Sequence, residues 1–203
     1  MKKYELTKET VTISEKTLYR IRAVRDFGSV KAGEFGGYIE KEENLSHFGN
    51  AWVSGNAWVF DNARVYDNAR VYDDTWVYGN ARVYDNAWVF GNAWVFGNAK
   101  VYDDAWVCGD AKVYGDAWVS GNAEVFNTRH FFVQGPIGSR NGFITFYRTK
   151  DNTVEVRCGC FSGSLQKFVD RVEETHGGSR YEKEYKLAAE LAKVCIRLEG
   201  ESR

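Results

Sequence analysis

From Gly49 to Phe126 the chain reads, without insertion or deletion, as thirteen six-residue units of the form G/D-N/D-A-x-V-x. The first are GNAWVS, GNAWVF and DNARVY, and the last are GDAWVS and GNAEVF. Within each unit Ala-x-Val-x alternates, and alternate side chains of a strand point to opposite faces. Ala and Val therefore turn inward, and the fourth and sixth positions turn outward. The Gly/Asp-Asn/Asp pair supplies the bend, because glycine takes positive φ without strain and Asn or Asp tolerate it while bonding their own backbone. Thr75 takes the place of Ala once. A short fixed period marks a solenoid, in which a unit buries its apolar side only against its neighbours.

Val53, Asn56 and Ala57 give an aliphatic residue, an Asn and a small residue four places after the first, and the pattern repeats down the column. On these residues the chain resembles the left-handed parallel β-helix family. That resemblance implies three hexads per turn, a triangular prism and a left-handed coil. Handedness rests on the resemblance alone, since crossovers between parallel strands are normally right-handed. Residues eighteen apart then stack about 4.8 Å apart, and thirteen hexads make four turns and one further side.

Sorted on that geometry, the fourth positions fall on three unlike faces. One carries Trp52, Arg70, Trp88, Trp106 and Glu124. The second carries Trp58, Trp76, Trp94 and Lys112, and the third Arg64, Arg82, Lys100 and Trp118. The sixth positions add Phe60, Tyr66, Tyr72, Tyr78, Tyr84, Phe90, Phe96, Tyr102 and Tyr114, also expected to point outward. Two sides thus carry aromatic ladders and the third is cationic. Cross-strand aromatic pairs contribute about 0.2–1 kcal/mol each, so the ladders stabilise the coil. So much exposed apolar area also marks an interface, which makes all seven tryptophans, with Arg64, Arg82 and Lys100, candidate contacts.

Residues 1–48 read as a cap over the first turn. A weakly alternating segment from Lys3 to Ser14 and a clear one from Thr17 to Val24 predict two strands, and Gly36-Gly37-Tyr38-Ile39 with Asn44-Leu45-Ser46 reads as degenerate hexads. Residues 17–126, through RAVRDFGSVKAGEFGGYIEKEENLS and the GNA units, resemble bacterial and phage hexapeptide-repeat proteins labelled polymer-forming or putative transferases. At Asn127 the period stops. Residues 127–203 predict a small α+β domain of order β-β-β-α-α, giving a mainly β protein with a solenoid between two additions. The strands are expected at Phe131–Gln134, Phe143–Arg148 and Val154–Phe161, and the helices at about 165–175 and 180–198, the second capped by Ser179 and Glu182.

Composition narrows the function only a little. Lys plus Arg total 27 against 28 Asp plus Glu, a net charge of −1, so no overall field recruits nucleic acid or an anionic membrane. No apolar run reaches eighteen residues and no charged-then-apolar leader is present, so a cytoplasmic protein without a membrane span is expected. Four cysteines are too few for a disulfide-stapled secreted domain and are read as thiols.

The tail motifs GPIGSR, RCGCFSG and THGG resemble an uncharacterised domain of phage-encoded proteins, with no activity to carry over. Gly138, Ser139 and Arg140 have the chemistry to cradle a phosphate, beside a turn reading of the same loop. Cys158, Cys160, His176 and Cys195 are the available zinc ligands, without a knuckle spacing. No cofactor is expected. The resembling solenoid enzymes are acyltransferases with a catalytic His or zinc carbonic anhydrases with several, whereas His47, His130 and His176 all lie outside the hexads. The sequence therefore points to a non-catalytic binding or interaction protein. It is expected to be a trimeric or dimeric scaffold presenting the tail. Two alternatives stand beside it: a phage-encoded anti-defence inhibitor that holds a host protein or a nucleotide signal, and an acyltransferase-like enzyme.

Overall fold

The structure, a computed structural model, describes residues 2–199. It is mainly β, a solenoid of about five turns sealed at one end by a β hairpin and at the other by a small domain with two helices after its strands. Strands β1 (Tyr4–Ile13), β2 (Lys16–Ala23) and β3 (Phe35–Ile39) pair antiparallel. β3 then pairs parallel with the first hexad strand of its face, Tyr38 opposite Trp58. The expected two-strand cap thus closes the exposed end of one face by extending its sheet.

The thirteen two-residue strands β4 (Trp52–Val53) to β16 (Glu124–Val125) form three parallel sheets. Trp52 aligns with Arg70, Trp88, Trp106 and Glu124; Trp58 with Trp76, Trp94 and Lys112; and Arg64 with Arg82, Lys100 and Trp118. These are the three faces expected from the period. The degenerate units are real coils: Ile39 pairs with Val59 and Leu45 bridges to Val65. Both partners are twenty residues away, so the first coil holds two extra residues, accommodated near His47 and Phe48.

Every inward Ala and Val from Ala51 to Val125 is at most 1% exposed, and the Thr75 hydroxyl donates to the Tyr72 carbonyl at 2.7 Å. Each hexad's first residue, Gly or Asp, has positive φ, including Asp67 at 58° and Gly115 at 67°. Second-position amides form ladders at eighteen-residue spacing, for example Asn50 Nδ2 to Asn68 Oδ1 and Asn68 Nδ2 to Asn86 Oδ1, at 3.0 and 3.2 Å.

The sixth-position rings stack in columns along the corners of the coil. Phe60, Tyr78 and Phe96 stack along one corner and Tyr66, Tyr84 and Tyr102 along another, with centroids 4.9–5.1 Å apart and planes within 2°. Phe60 and Tyr102 are buried at the ends of these stacks, where Lys16 of the cap and Arg157 of the tail lie 5.9 and 5.5 Å from their ring centroids. Trp58, Trp76 and Trp94 stack likewise, at 4.9 and 5.0 Å. Rings this close cannot lie side by side in one plane, so they offer mainly edges to solvent.

The tail contains β17 (Phe131–Ile137), β18 (Gly142–Arg148), β19 (Val154–Cys158) and β20 (Phe161–Ser164), an antiparallel sheet, followed by α1 (Leu165–His176) and α2 (Arg180–Cys195). Four strands stand where three were expected. Gly159, with φ of 57°, turns the chain and splits the anticipated third strand into a hairpin. Ser164 and Ser179 cap the helices, accepting from Lys167 N and Glu182 N. α2 buries Ala188, Ala189 and Ala192, while Leu187, Leu191 and Val194 are exposed.

The tail seals the last turn with its own side chains. Phe131 and Tyr147 join the solenoid core, the Trp118 N–H donates to Thr145 Oγ1 at 2.9 Å, and the Lys150 N–H to the Asn122 carbonyl at 2.9 Å. Arg148, its side chain 3% exposed, ties the parts together. It reaches Glu124 at 3.4 Å and Glu199 at 2.7 Å, donates to Asn152 and lies 5.0 Å from the Phe126 ring centroid.

Candidate functional site

Where the tail sheet meets the last turn, the strands β18 and β19 and the two helices leave a cleft of about 830 Å³ against Trp118. Its volume is that of a small-molecule site. The wall brings together Ser139, Arg140, Cys158, Cys160 and His176, the candidates from the GPIGSR, RCGCFSG and THGG motifs, with Trp118, Phe143, Arg157, Arg171 and Tyr185. Asp116 is the carboxylate among the lining residues, and its Oδ1 already accepts from Asn98 Nδ2 at 3.0 Å.

The cationic side chains are unequal. Arg171 is paired with Glu174 at 3.1 Å. Arg140 is exposed, and neither it nor Arg157 forms an ion pair among the described residues. The Arg157 guanidinium lies 5.5 Å from the Tyr102 ring centroid, and its Nε is buried without a hydrogen-bond partner. The hydroxyl of Tyr102, a residue 7% exposed, is likewise buried and unpartnered. A buried polar group left unpaired costs about 1–3 kcal/mol, so this corner retains unused donors.

Trp118 ends its column. Lys100 Nζ sits 4.1 Å from one face of its ring, and its sheet has no further strand beyond it. The loop between β17 and β18 is fixed by close approach: a Cβ on Gly138 would fall on the Tyr185 hydroxyl, and the Gly138 N–H donates to Glu184 Oε2 at 2.7 Å. This corrects the phosphate-cradle expectation, because the Gly138 N–H is taken by a carboxylate. Ser139 and Arg140 remain available.

Burial pushes the Cys158 pKa up and outweighs the opposing effect of the Tyr185 hydroxyl. The thiol is therefore protonated at neutral pH and a poor nucleophile. The weak zinc set is not assembled: among the described residues no three His, Cys, Asp or Glu side chains are placed to hold a metal, and Cys195 lies on α2 outside the cleft wall. His130 also lies away from the cleft, as a buried brace accepting from the Phe126 N–H at 3.2 Å. Burial and then Arg148 lower its pKa.

Of the surface candidates, Trp52 is corrected outright. At 2% exposed, it lies beneath the cap, edge-on to Phe27 at 5.3 Å and to Tyr4 at 6.3 Å. Trp58, Trp76 and Trp94 are half-buried in their own stack, with Lys112 Nζ 4.6 Å over the end ring. Trp88 and Trp106, each 40% exposed, are the most open pair. Arg64 and Arg82 are exposed and Lys100 is turned onto Trp118. Sequence reasoning missed Arg157 and Tyr102 as parts of one corner. Alternation gave no signal, since they come from different elements joined only by the docking of the tail.

The fold defines a β-solenoid repeat protein with a small appended domain. Residues 63–79, 77–91 and 81–97 match the family described as YdcK beta solenoid repeat, to which the centre of the coil is similar. A comparison with curated proteins gave no match. No helix among the described residues is long and apolar enough to cross a membrane.

Proposed function

We propose that this is a non-catalytic, cytoplasmic binding protein, a rigid solenoid that presents an anion-binding cleft at its junction with the tail. One observation carries the reading: Arg140 and Arg157 face the cleft without ion pairs, and its one lining aspartate is already engaged by Asn98. Unpaired guanidiniums in a concave, partly apolar site favour carboxylate or phosphate groups. The protonated Cys158 and the structural engagement of His130 speak against nucleophilic or acid–base chemistry, which weighs against the acyltransferase-like alternative. An inhibitor from a phage that sequesters a small anionic signal, or grips an acidic patch on a host protein, would be a particular form of this reading. Calorimetric titration with inorganic pyrophosphate at low salt tests it. Binding that weakens about tenfold in Arg140→Ala supports the reading, and no heat in the wild-type protein contradicts it.

Self-association is a second proposal, favoured by the open Trp88–Trp106 pair on a face with a repeating surface. Closed symmetry would bury that face on every subunit of a dimer or trimer.

A further inference from the structure

We infer that the ligand of this cleft is a nucleotide, with its base on the free face of Trp118 and its phosphates held at Arg157 and Arg140. The inference rests on the anion-binding reading above and adds the chemistry of the uncharged half of the ligand. Trp118 is the one hexad tryptophan lining the cleft. Its ring is held from one side by Lys100 at 4.1 Å, and no following rung covers the other side. In the second column, by contrast, Trp76 is stacked on both faces, by Trp58 and by Trp94. A planar base fits this platform because every base has a π face, and such stacking is worth about 1–3 kcal/mol.

The polar end of the ligand is set by the two unpaired guanidiniums of the wall. Arg157 lines the cleft with its guanidinium 5.5 Å from the Tyr102 ring centroid, which holds it in place, and it forms no ion pair among the described residues. Phosphate oxygens would pair with the guanidinium of Arg157, with exposed Arg140 closing over a second phosphate. A lone inorganic anion leaves most of the 830 Å³ unfilled. A long nucleic acid is disfavoured as well: Asp67, Asp85 and Asp103 occupy the corner that follows Arg64, Arg82 and Lys100, so the cationic face is not a continuous backbone track.

The test is calorimetric titration at about 50 mM salt, a range in which charge contacts are weakly screened. ADP, GDP, CDP and UDP are run beside inorganic pyrophosphate and adenosine, against wild type, Trp118→Leu and Arg140→Ala. The account expects at least one nucleoside diphosphate to bind tenfold or more tightly than pyrophosphate. Trp118→Leu should abolish that advantage while leaving pyrophosphate binding within about twofold. Arg140→Ala, an exposed position, should weaken nucleotide and pyrophosphate alike by about tenfold. Equal affinity for pyrophosphate and all four nucleotides overturns the nucleotide inference and leaves the anion reading standing. Adenosine binding as tightly as ADP overturns both, as does an absence of binding by every probe. Should Trp118→Leu fail to fold, the wild-type ratio of nucleotide to pyrophosphate affinity and the Arg140→Ala loss decide the matter on their own.

Discussion

The corner residues make a test that separates backbone conformation from close approach. Gly49 and Gly115 hold the same position in their hexads, with φ of 66° and 67°. At Gly115 an added Cβ meets nothing within 4 Å; at Gly49 it would fall on the Asp67 carbonyl oxygen. That oxygen accepts from both Asn50 N and Ala51 N, at 2.6 and 2.7 Å. For Gly115→Ala the left-handed conformation costs about 1–2 kcal/mol, offset by roughly 0.4–1 from the stiffer unfolded chain, leaving about 1 kcal/mol. Gly49→Ala bears the same net cost and also displaces an acceptor of two hydrogen bonds worth about 0.5–1.5 kcal/mol each. Its total is about 2–4 kcal/mol. Urea unfolding followed by tryptophan fluorescence measures both, provided the slopes match the wild type. Equal losses in the two variants would refute the argument that coil-to-coil approach, and not φ alone, demands glycine at Gly49.

Further expectations follow from the seal, the cap and the open ladder. Arg148→Met should destabilise by about 2–4 kcal/mol, since it strips a buried guanidinium from Glu124, Asn152 and Glu199. The discount for the exposure of Glu199 keeps the estimate below that of a fully buried triad, and a loss under 0.5 kcal/mol by urea unfolding would contradict the seal. Lys3 has its pKa lowered to about 8 by burial and then by Arg25 and Arg70. Between that value and the unfolded value near 10.5 the unfolded chain binds more protons, so stability should rise with pH across this window. From pH 8 to 9.5 the rise is on the order of 1–2 kcal/mol, and Lys3→Met should flatten it; parallel pH profiles would refute the assignment. Trp88→Ser combined with Trp106→Ser should reduce the self-associated form to monomer in light scattering, and a wild-type monomer at high concentration would remove the self-association proposal.

Local signals and tertiary outcomes divided unevenly in this chain. The three-face sorting of Trp58, Arg64, Arg70 and their successors was legible because it needs only the period. The positive φ at Asp67 and Gly49 was legible because bend chemistry is local. Trp52 shares its hexad pattern with Trp58, yet it is buried because the loop bearing Phe27 folds back over the first coil. Nothing in the hexad itself encodes that. In the tail, Ser139 and Arg140 stand out as a phosphate loop and Cys158, Cys160 and His176 as thiol and imidazole ligands, each set from its own motif, and the cleft gathers both sets. Arg157 and Tyr102 lie 55 positions apart in the sequence and meet only when β19 docks on the last turn. On α2 the small residues Ala188, Ala189 and Ala192 are buried while Leu187, Leu191 and Val194 are exposed, so residue size and not hydrophobicity alone marks the packed face.

The central claim is that the cleft holds an anionic ligand, and native mass spectrometry of gently purified protein tests it most directly. The account predicts a retained small anionic species in the wild type that is lost from Arg157→Ala while the subunit mass and folded charge distribution persist. A wild type that carries no added mass even when loaded with millimolar ADP or pyrophosphate before desalting would contradict it.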